Sequence, residues 1–234
     1  MRDARDNKLE DEPEISEEER EMSGRGRVYH VLLALLLLLM ALQPLAEVAG
    51  GILIQLASAG LLLASVAAVA ARRRLFKVGL VLAVPAVALL FAPGRIPTAA
   101  GAFLTIATLV FICFVFLRRI AKHPVVTAAT VSASLVVYLA FGVIWAKAYW
   151  LVENARPNSF TGLSGSGILD VQRDLFYYSY VTLATLGYGD INPVGPEARS
   201  LAITEAIVGQ LYLVVLVAGL VGMSLSQRQR RPDQ

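Results

Sequence analysis

Residues 185–190 read Thr185-Leu-Gly-Tyr-Gly-Asp190 and lie between an aromatic segment and a long apolar run. The glycines at alternate positions, Gly187 and Gly189, permit backbone angles that other residues avoid. With such angles, successive carbonyl groups can all face one side, and no side chain obstructs them. The hexapeptide therefore predicts a strand whose backbone oxygens line a path.

The residues around this hexapeptide predict a segment that enters a membrane as a helix and leaves it as irregular backbone. Asp170 is the expected N-cap of a helix over about 171–184, which must stop at Gly187. Pro193 and Pro196 keep the return path extended. Irregular backbone at membrane depth is tolerated only where it is buried in protein or lines a water-filled path.

The composition of the whole chain indicates an integral membrane protein. Of 234 residues, 56% are apolar and 17% are charged, whereas a soluble domain averages about 45–50% and 25%. Ten of the 18 acidic residues lie within residues 3–21, so the rest of the chain cannot supply a soluble surface. The net charge of +3 comes from short basic clusters between apolar runs, and we expect no nucleic-acid partner.

Apolar runs predict an all-α protein with six transmembrane helices. A hydrocarbon core about 30 Å thick needs roughly 17–25 helical residues. The third run is short and contains Pro85, so it must borrow flanking residues, thin the bilayer or be a broken helix. The six runs are 28–46, 50–71, 78–92, 99–117, 125–146 and 200–225.

The basic residues between these runs predict the orientation. Residues 72–77 hold three arginines and a lysine, and residues 118–122 hold two arginines and a lysine. Loops rich in Lys and Arg stay cytoplasmic. We therefore expect a multi-pass protein of the cell membrane with both termini in the cytoplasm.

Residues 176–193 resemble the pore helix and selectivity filter of the potassium channel family. With six spans and a pore loop between the last two, residues 28–226 resemble its tetrameric six-helix branch, in a prokaryotic form. The resemblance implies a re-entrant pore helix, a homotetramer in membrane lipid, and passive conduction of K⁺. It implies no enzymatic activity and no cofactor besides the permeant ion.

The resemblance also assigns roles to the filter, Thr185–Gly189. Thr185, Leu186, Gly187 and Tyr188 would bind K⁺ through their oxygens, and Gly189 would allow the outward turn. Asp190 would hold the outer mouth by hydrogen bonds to pore-helix aromatics, here Tyr177 and Tyr178. Leu186 stands where valine is commoner, which leaves the carbonyl in place but changes the packing behind it.

The sixth span carries further candidates. Glu205 is an ionisable group in an apolar helix, and either braces the pore from behind or is a hydrogen-bonded packing residue. Gly209 falls where the family usually keeps a hinge glycine, although close helix packing would also explain it. One helical face is predicted to line the inner vestibule and gate: Gln210, Leu213, Val217 and Val221.

The first four spans lack the charges of a voltage sensor. Residues 99–117 contain no charged side chain, and Arg118 and Arg119 lie at the cytoplasmic end. We therefore predict a polar, disordered cytoplasmic tail (1–27), a sensor-like domain without gating charges (28–122), a pore domain (123–226) and a short cytoplasmic tail (227–234).

Two other functions are alternatives to a potassium channel. A potassium transporter subunit would carry four filter-like loops in one chain, and no such repeat is present in this sequence. A non-conducting membrane sensor or scaffold would not need residues 185–190. The sequence does not identify the gating stimulus.

Overall fold

The computed structural model of the chain describes residues 17–43, 51–122 and 127–229. Within these ranges the protein is helical, with one two-stranded antiparallel ladder that pairs Phe160 with Pro193 and Thr161 with Asn192. The elements in chain order are α1 (Glu17–Leu42), α2 (Ile52–Ala67), α3 (Arg73–Leu90), α4 (Arg95–Lys122), α5 (Ala128–Ala155), β1 (Phe160–Thr161), α6 (Ile168–Leu183), β2 (Asn192–Pro193) and α7 (Pro196–Gln229).

Three helices of the described residues are long and apolar enough to cross a membrane: Arg95–Ala121, Ala128–Ala155 and Pro196–Gly219. The apolar helices Gly26–Leu42 and Ile52–Ala67 are shorter. The third predicted span is a single helix, α3, which continues through Pro85. The count of six spans therefore stays a prediction, whereas the structure shows that the described part of the chain is helical and includes three helices that could cross a membrane.

The beginnings of two helices differ from the sequence prediction. The first helix begins at Glu17, inside the predicted tail of residues 1–27, and residues 1–16 lie outside the described part. The prediction of Asp170 as the N-cap of the pore helix was wrong, because α6 begins at Ile168 and its N-cap is Gly167. Asp170 lies in the first turn, where an acidic side chain favours the positive end of the helix dipole.

Two buried clusters hold the helices together. The larger cluster joins α1, α2 and α4 to α5, and its fully buried members include Leu32, Leu62, Phe116 and Val137. The smaller cluster surrounds Tyr149 and Trp150 near the end of α5 and holds α6 through Leu175 and Tyr178. Because α5 contacts α1, α4, α6 and α7, it is the central support of the segment that follows α6.

Candidate functional site

The predicted filter begins where α6 ends in a Schellman-type C-cap, with Thr185 as its left-handed residue. The amide of Thr185 donates to the carbonyl of Thr182 at 2.9 Å, and the amide of Leu186 donates to the carbonyl of Val181 at 2.9 Å. Thr185 itself has a φ of 59°, one of two positive φ values among non-glycine residues in the described ranges. Such a conformation costs of order 1–3 kcal/mol and is typical of functional sites.

Backbone handedness alternates along the strand that follows. Thr185, Gly187 and Gly189 have φ values of 59°, 58° and 78°, whereas φ is not positive at Leu186 or Tyr188. This alternation allows successive peptide carbonyls to face the same side, as an oxygen-lined ion path requires. No atom of the described chain outside the adjacent residues lies within 4 Å of the position that a Cβ would take at Gly187 or Gly189. Glycine is therefore favoured at these positions by the positive φ and not by a lack of space.

The side chains of this strand lie at the surface of the single chain. Leu186 is 56% exposed and Tyr188 is 67% exposed. A leucine and a tyrosine with so much apolar surface need cover from another molecule. Backbone oxygens are the candidate ligands for a cation here, because the alternating backbone lets successive carbonyls face one side.

Beyond the filter, the outer mouth is held by polar contacts. The side-chain amide of Asn192 donates to the carbonyl of Gly189 at 2.6 Å. Tyr177 hydrogen-bonds to Asp190, and this bond is the main cause that lowers the pKa of the Asp190 carboxyl below its ordinary value. The structure thus brings together Asp190 and Tyr177, which were predicted to act together at the outer mouth.

Tyr178, the second predicted partner of Asp190, points elsewhere. It is buried, and its ring packs edge-on against Tyr149 at 5.1 Å and Phe160 at 5.4 Å between ring centroids. Successive helical residues are about 100° apart around the axis, so neighbours cannot both face the filter mouth. The described contacts therefore make Tyr178 a core residue between α5 and α6.

A carboxylate that the sequence analysis missed organises the loop beside the mouth. Glu153, in the last turn of α5, accepts hydrogen bonds from the amides of Asn158 (2.8 Å), Ser159 (2.9 Å) and Phe160 (3.1 Å). The carbonyl of Ser159 in turn accepts from the amides of Val194 and Gly195. In the sequence, Glu153 is recognisable only as a polar residue at the end of an apolar run. The backbone amides that it binds are identified only by the fold.

Glu205 lies fully buried behind the filter and joins three helices. Its carboxyl group is hydrogen-bonded to the hydroxyl of Tyr149 on α5 and, at 2.5 Å, to the hydroxyl of Ser179 on α6. Ser179 also lies 2.9 Å from the carbonyl of Gly142 on α5. The sequence singled out Glu205 but not its partners, although a buried carboxyl group must have them.

Two tyrosines connect the pore helix to α5. The hydroxyl of Tyr180 donates to the carbonyl of Leu139 at 2.6 Å, and the hydroxyl of Tyr138 donates to the carbonyl of Leu183 at 3.2 Å. The second bond satisfies a carbonyl at the last turn of α6, which would otherwise lack a helical partner. These contacts fix the end of the helix from which the filter starts.

The predicted hinge and gate residues all lie on α7. Gly209 is buried, and a Cβ there would lie 2.8 Å from the Cδ1 of Leu183, so this glycine permits close packing against the end of α6. The helix is continuous through Gly209. Gln210, Leu213 and Val217 are exposed in the single chain, whereas the side chain of Val221 lies outside the described part.

This region of the chain is similar to a known protein family. Residues 126–225 match a family model described as "Ion channel". The chain is 40% identical to the inward rectifier potassium channel Kirbac3.1 of Paramagnetospirillum magnetotacticum over 82 residues, 33% of this chain and 24% of that protein. It is 34% identical to two pore potassium channel c of Oryza sativa subsp. japonica over 95 residues, 41% of this chain and 19% of that protein.

Protein LctB of Bacillus caldotenax is 42% identical over 70 residues, 30% of this chain and 48% of that protein. No solved structure matches the chain. The chain thus spans about a quarter or less of the length of the first two relatives, 24% and 19%. Residues 126–225 are thus similar to an ion channel family, and the first two relatives that match the chain are potassium channels.

Proposed function

We propose that the chain forms a potassium-selective channel that conducts K⁺ passively, with Thr185–Gly189 as its selectivity filter. The observation that carries this proposal is the alternation of positive φ at Thr185, Gly187 and Gly189, within the region that matches the ion channel family. Four such strands around one axis would stack carbonyl oxygens that replace the hydration shell of K⁺.

We also propose that the active form is a homotetramer. One chain holds one filter strand, and a filter needs four. The exposure of the filter and of α7 supports this assembly, because Leu186, Tyr188 and the apolar stripe Ile203, Ile207, Leu211 and Val214 are each more than half exposed. Helices that associate within a membrane gain van der Waals packing and hydrogen bonds with one another. A particle of another size in conducting preparations would contradict the tetramer.

In this proposal Glu205 braces the pore helix, and Gly209, Gln210, Leu213, Val217 and Val221 belong to the gate-bearing helix. The chain would cross the cell membrane six times with both termini in the cytoplasm. The domain limits would be those of the sequence: tails at 1–27 and 227–234, a sensor-like domain at 28–122 and a pore domain at 123–226. Accessibility of single cysteines placed in the two tails would test the orientation.

The decisive experiment measures reversal potentials of the purified full chain in liposomes under opposed K⁺ and Na⁺ gradients. We expect a reversal potential near that of K⁺ in the wild type. In Gly187→Ala the selective current should vanish, because alanine is strained at a φ of 58°. Gly219→Ala on α7, where a Cβ also meets no atom of the described chain, is the matched control and should remain selective.

The same recordings separate the channel from its alternatives. A transporter subunit would show transport that saturates and no unitary current steps. A non-conducting scaffold would show no K⁺ flux in wild type or variant. Unchanged selectivity in Gly187→Ala would remove the filter assignment.

A further inference from the structure

Two cavities meet at one lysine, away from the filter. They measure about 200 Å³ and about 50 Å³, and both are lined by Ser58 of α2, Lys147 of α5 and Gln172 of α6. The larger one extends to the connection between α3 and α4. We call the pair the Lys147 cavity. One water molecule needs roughly 10–15 Å³ in this measure, so the larger cavity has room for a polar headgroup.

The charge of Lys147 has only a neutral partner in the described structure. Its ammonium group donates to the side-chain oxygen of Gln172 at 2.7 Å, and no carboxylate of the described residues lies within ion-pair distance. Lys147 lies about 12 Å before the end of α5 at Ala155, given a rise of 1.5 Å per residue. A cation that lines a cavity between apolar helices is costly unless an opposite charge accompanies it.

The side chains that line the cavity suit the binding of an anion. The lining contains no Asp or Glu among the described residues, and its second cation, Arg173, is already near Asp170 and Asp174. The Thr98 hydroxyl already donates to the carbonyl of Gly94. The remaining polar side chains that line the cavity are amides and hydroxyls, which can donate hydrogen bonds: Gln43, Gln55, Gln172, Ser58 and Thr105.

Thr105 supplies an independent sign that a ligand belongs here. The residue is only 5% exposed and lines the larger cavity, yet its hydroxyl has no hydrogen-bond partner in the structure. Thr108, one turn further along α4, donates to the carbonyl of Leu104. A buried hydroxyl without a partner destabilises the fold, and a ligand that accepts its hydrogen would remove that cost.

We propose that the Lys147 cavity binds the phosphate headgroup of an anionic membrane lipid. The phosphate oxygens accept from the Lys147 ammonium and the Thr105 hydroxyl, and the Gln172 amide lies beside them. The apolar walls, among them Ile54, Leu89 and Leu90, then receive the upper part of the lipid chains. These walls, between apolar helices, favour a lipid over a free anion. The proposal does not depend on ion conduction.

Native mass spectrometry of the purified full chain tests this. The protein is given equal amounts of phosphatidylglycerol and phosphatidylcholine, and the bound lipids are counted. We expect the wild type to prefer phosphatidylglycerol at a saturable site. Lys147→Gln should lose about tenfold of that affinity, the effect of one charge-assisted hydrogen bond. Lys147→Arg should keep it, and Lys77→Gln, at an exposed position of α3, is the charge-matched control.

Thr105→Val distinguishes an effect on lipid binding from an effect on packing. The substitution should not lower the stability of the lipid-free protein, but it should reduce the stabilisation by lipid. Without lipid the variant should be at least as stable as the wild type, since an unpartnered hydroxyl is gone. Its gain in unfolding midpoint on addition of phosphatidylglycerol should nevertheless be smaller. Equal binding of the two lipids by the wild type, or equal losses in Lys147→Gln and Lys77→Gln, would overturn the proposal. Stabilisation by inorganic phosphate alone, equal to that by phosphatidylglycerol, would assign the site to a free anion instead.

Discussion

The backbone of Gly142 on α5 lies against the phenol ring of Tyr180 on α6, so closely that a Cβ at Gly142 would be 2.5 Å from the ring carbons Cε1 and Cζ. The same tyrosine donates its hydroxyl hydrogen to Leu139, one turn earlier on α5. This contact sets the distance between the pore helix and its support.

The first prediction follows from that contact. Gly142→Ala should lower the free energy of unfolding by about 1–3 kcal/mol, because the added methyl group overpacks the interface between two helices. Thermal unfolding of the purified protein in detergent measures the effect. Gly60→Ala on α2 is the matched control, since a Cβ there meets nothing within 4 Å. It should be neutral or stabilising by up to about 1 kcal/mol, and an equal loss in both variants would contradict the packing argument.

The second prediction concerns the buried carboxyl group. Glu205→Ala should destabilise the protein by about 2–4 kcal/mol, because it leaves a cavity and removes the partner of the Tyr149 hydroxyl. Glu205→Gln should lose much less, since its amide offers an oxygen to Tyr149 and an N–H to Ser179. The unfolding midpoints and the K⁺ selectivity of both variants, compared side by side, test the brace. Equal losses for alanine and glutamine would show that the hydrogen bonds contribute little.

The third prediction is a pH effect at the outer mouth. The hydrogen bond from Tyr177 lowers the pKa of Asp190, so the charged carboxylate persists below the ordinary carboxyl value of 3.8. A lowered pKa adds stability that is present above that ordinary value and is lost as pH falls through the lower folded value. Tyr177→Phe removes the bond, and the acid-induced loss of K⁺ current should then begin at a higher pH.

The test of this prediction is the K⁺ current recorded while the pH on the side of Asp190 is lowered stepwise. Tyr188→Phe serves as the control, because Tyr188 lies in the filter but is not the hydrogen-bond partner that lowers the pKa of Asp190. Identical acid profiles for wild type and Tyr177→Phe would refute the role of this bond.

The fourth prediction concerns voltage. The Arg119 guanidinium lies 3.3 Å from the carbonyl of Ala68 and 3.5 Å from the hydroxyl of Tyr29, so it connects the end of α4 to α2 and α1. Each gating charge that crosses the field contributes about 2.3 kcal/mol per 100 mV, and residues 99–117 carry none. The conductance–voltage curve should be shallow and unchanged in Arg118→Gln with Arg119→Gln. A steep curve that flattens in the double variant would restore a voltage sensor.

The left-handed backbone at two glycines of the proposed filter could be predicted from sequence because its signal is local. Glycines at 187 and 189 constrain the backbone directly, and the structure shows positive φ at both. The positive φ at Thr185 gave no such signal, because threonine usually avoids that conformation. It arises because Thr185 follows the C-cap Ala184 in a Schellman motif, which the bonds of residues 185 and 186 to carbonyls within the helix close.

The partners behind the filter could not be predicted, for a different reason. The pattern of apolar residues gives the length of each helix but not its rotation relative to its neighbours. The bond between Tyr149 and Glu205 depends on the rotations of both α5 and α7. For the same reason Tyr177 and Tyr178 looked equivalent in the sequence, although only Tyr177 reaches Asp190.

The hydrogen bonds of Glu153 and Ser159 connect the proposed filter to α5 by a second route. At its inner end the filter is coupled to α5 through the pore helix, by Tyr138 and Leu183. At its outer end the route runs from Glu153 to Ser159 and on to Val194, and it bypasses the pore helix. The segment between Leu183 and Val194 is therefore anchored to the same helix, α5, at both of its ends.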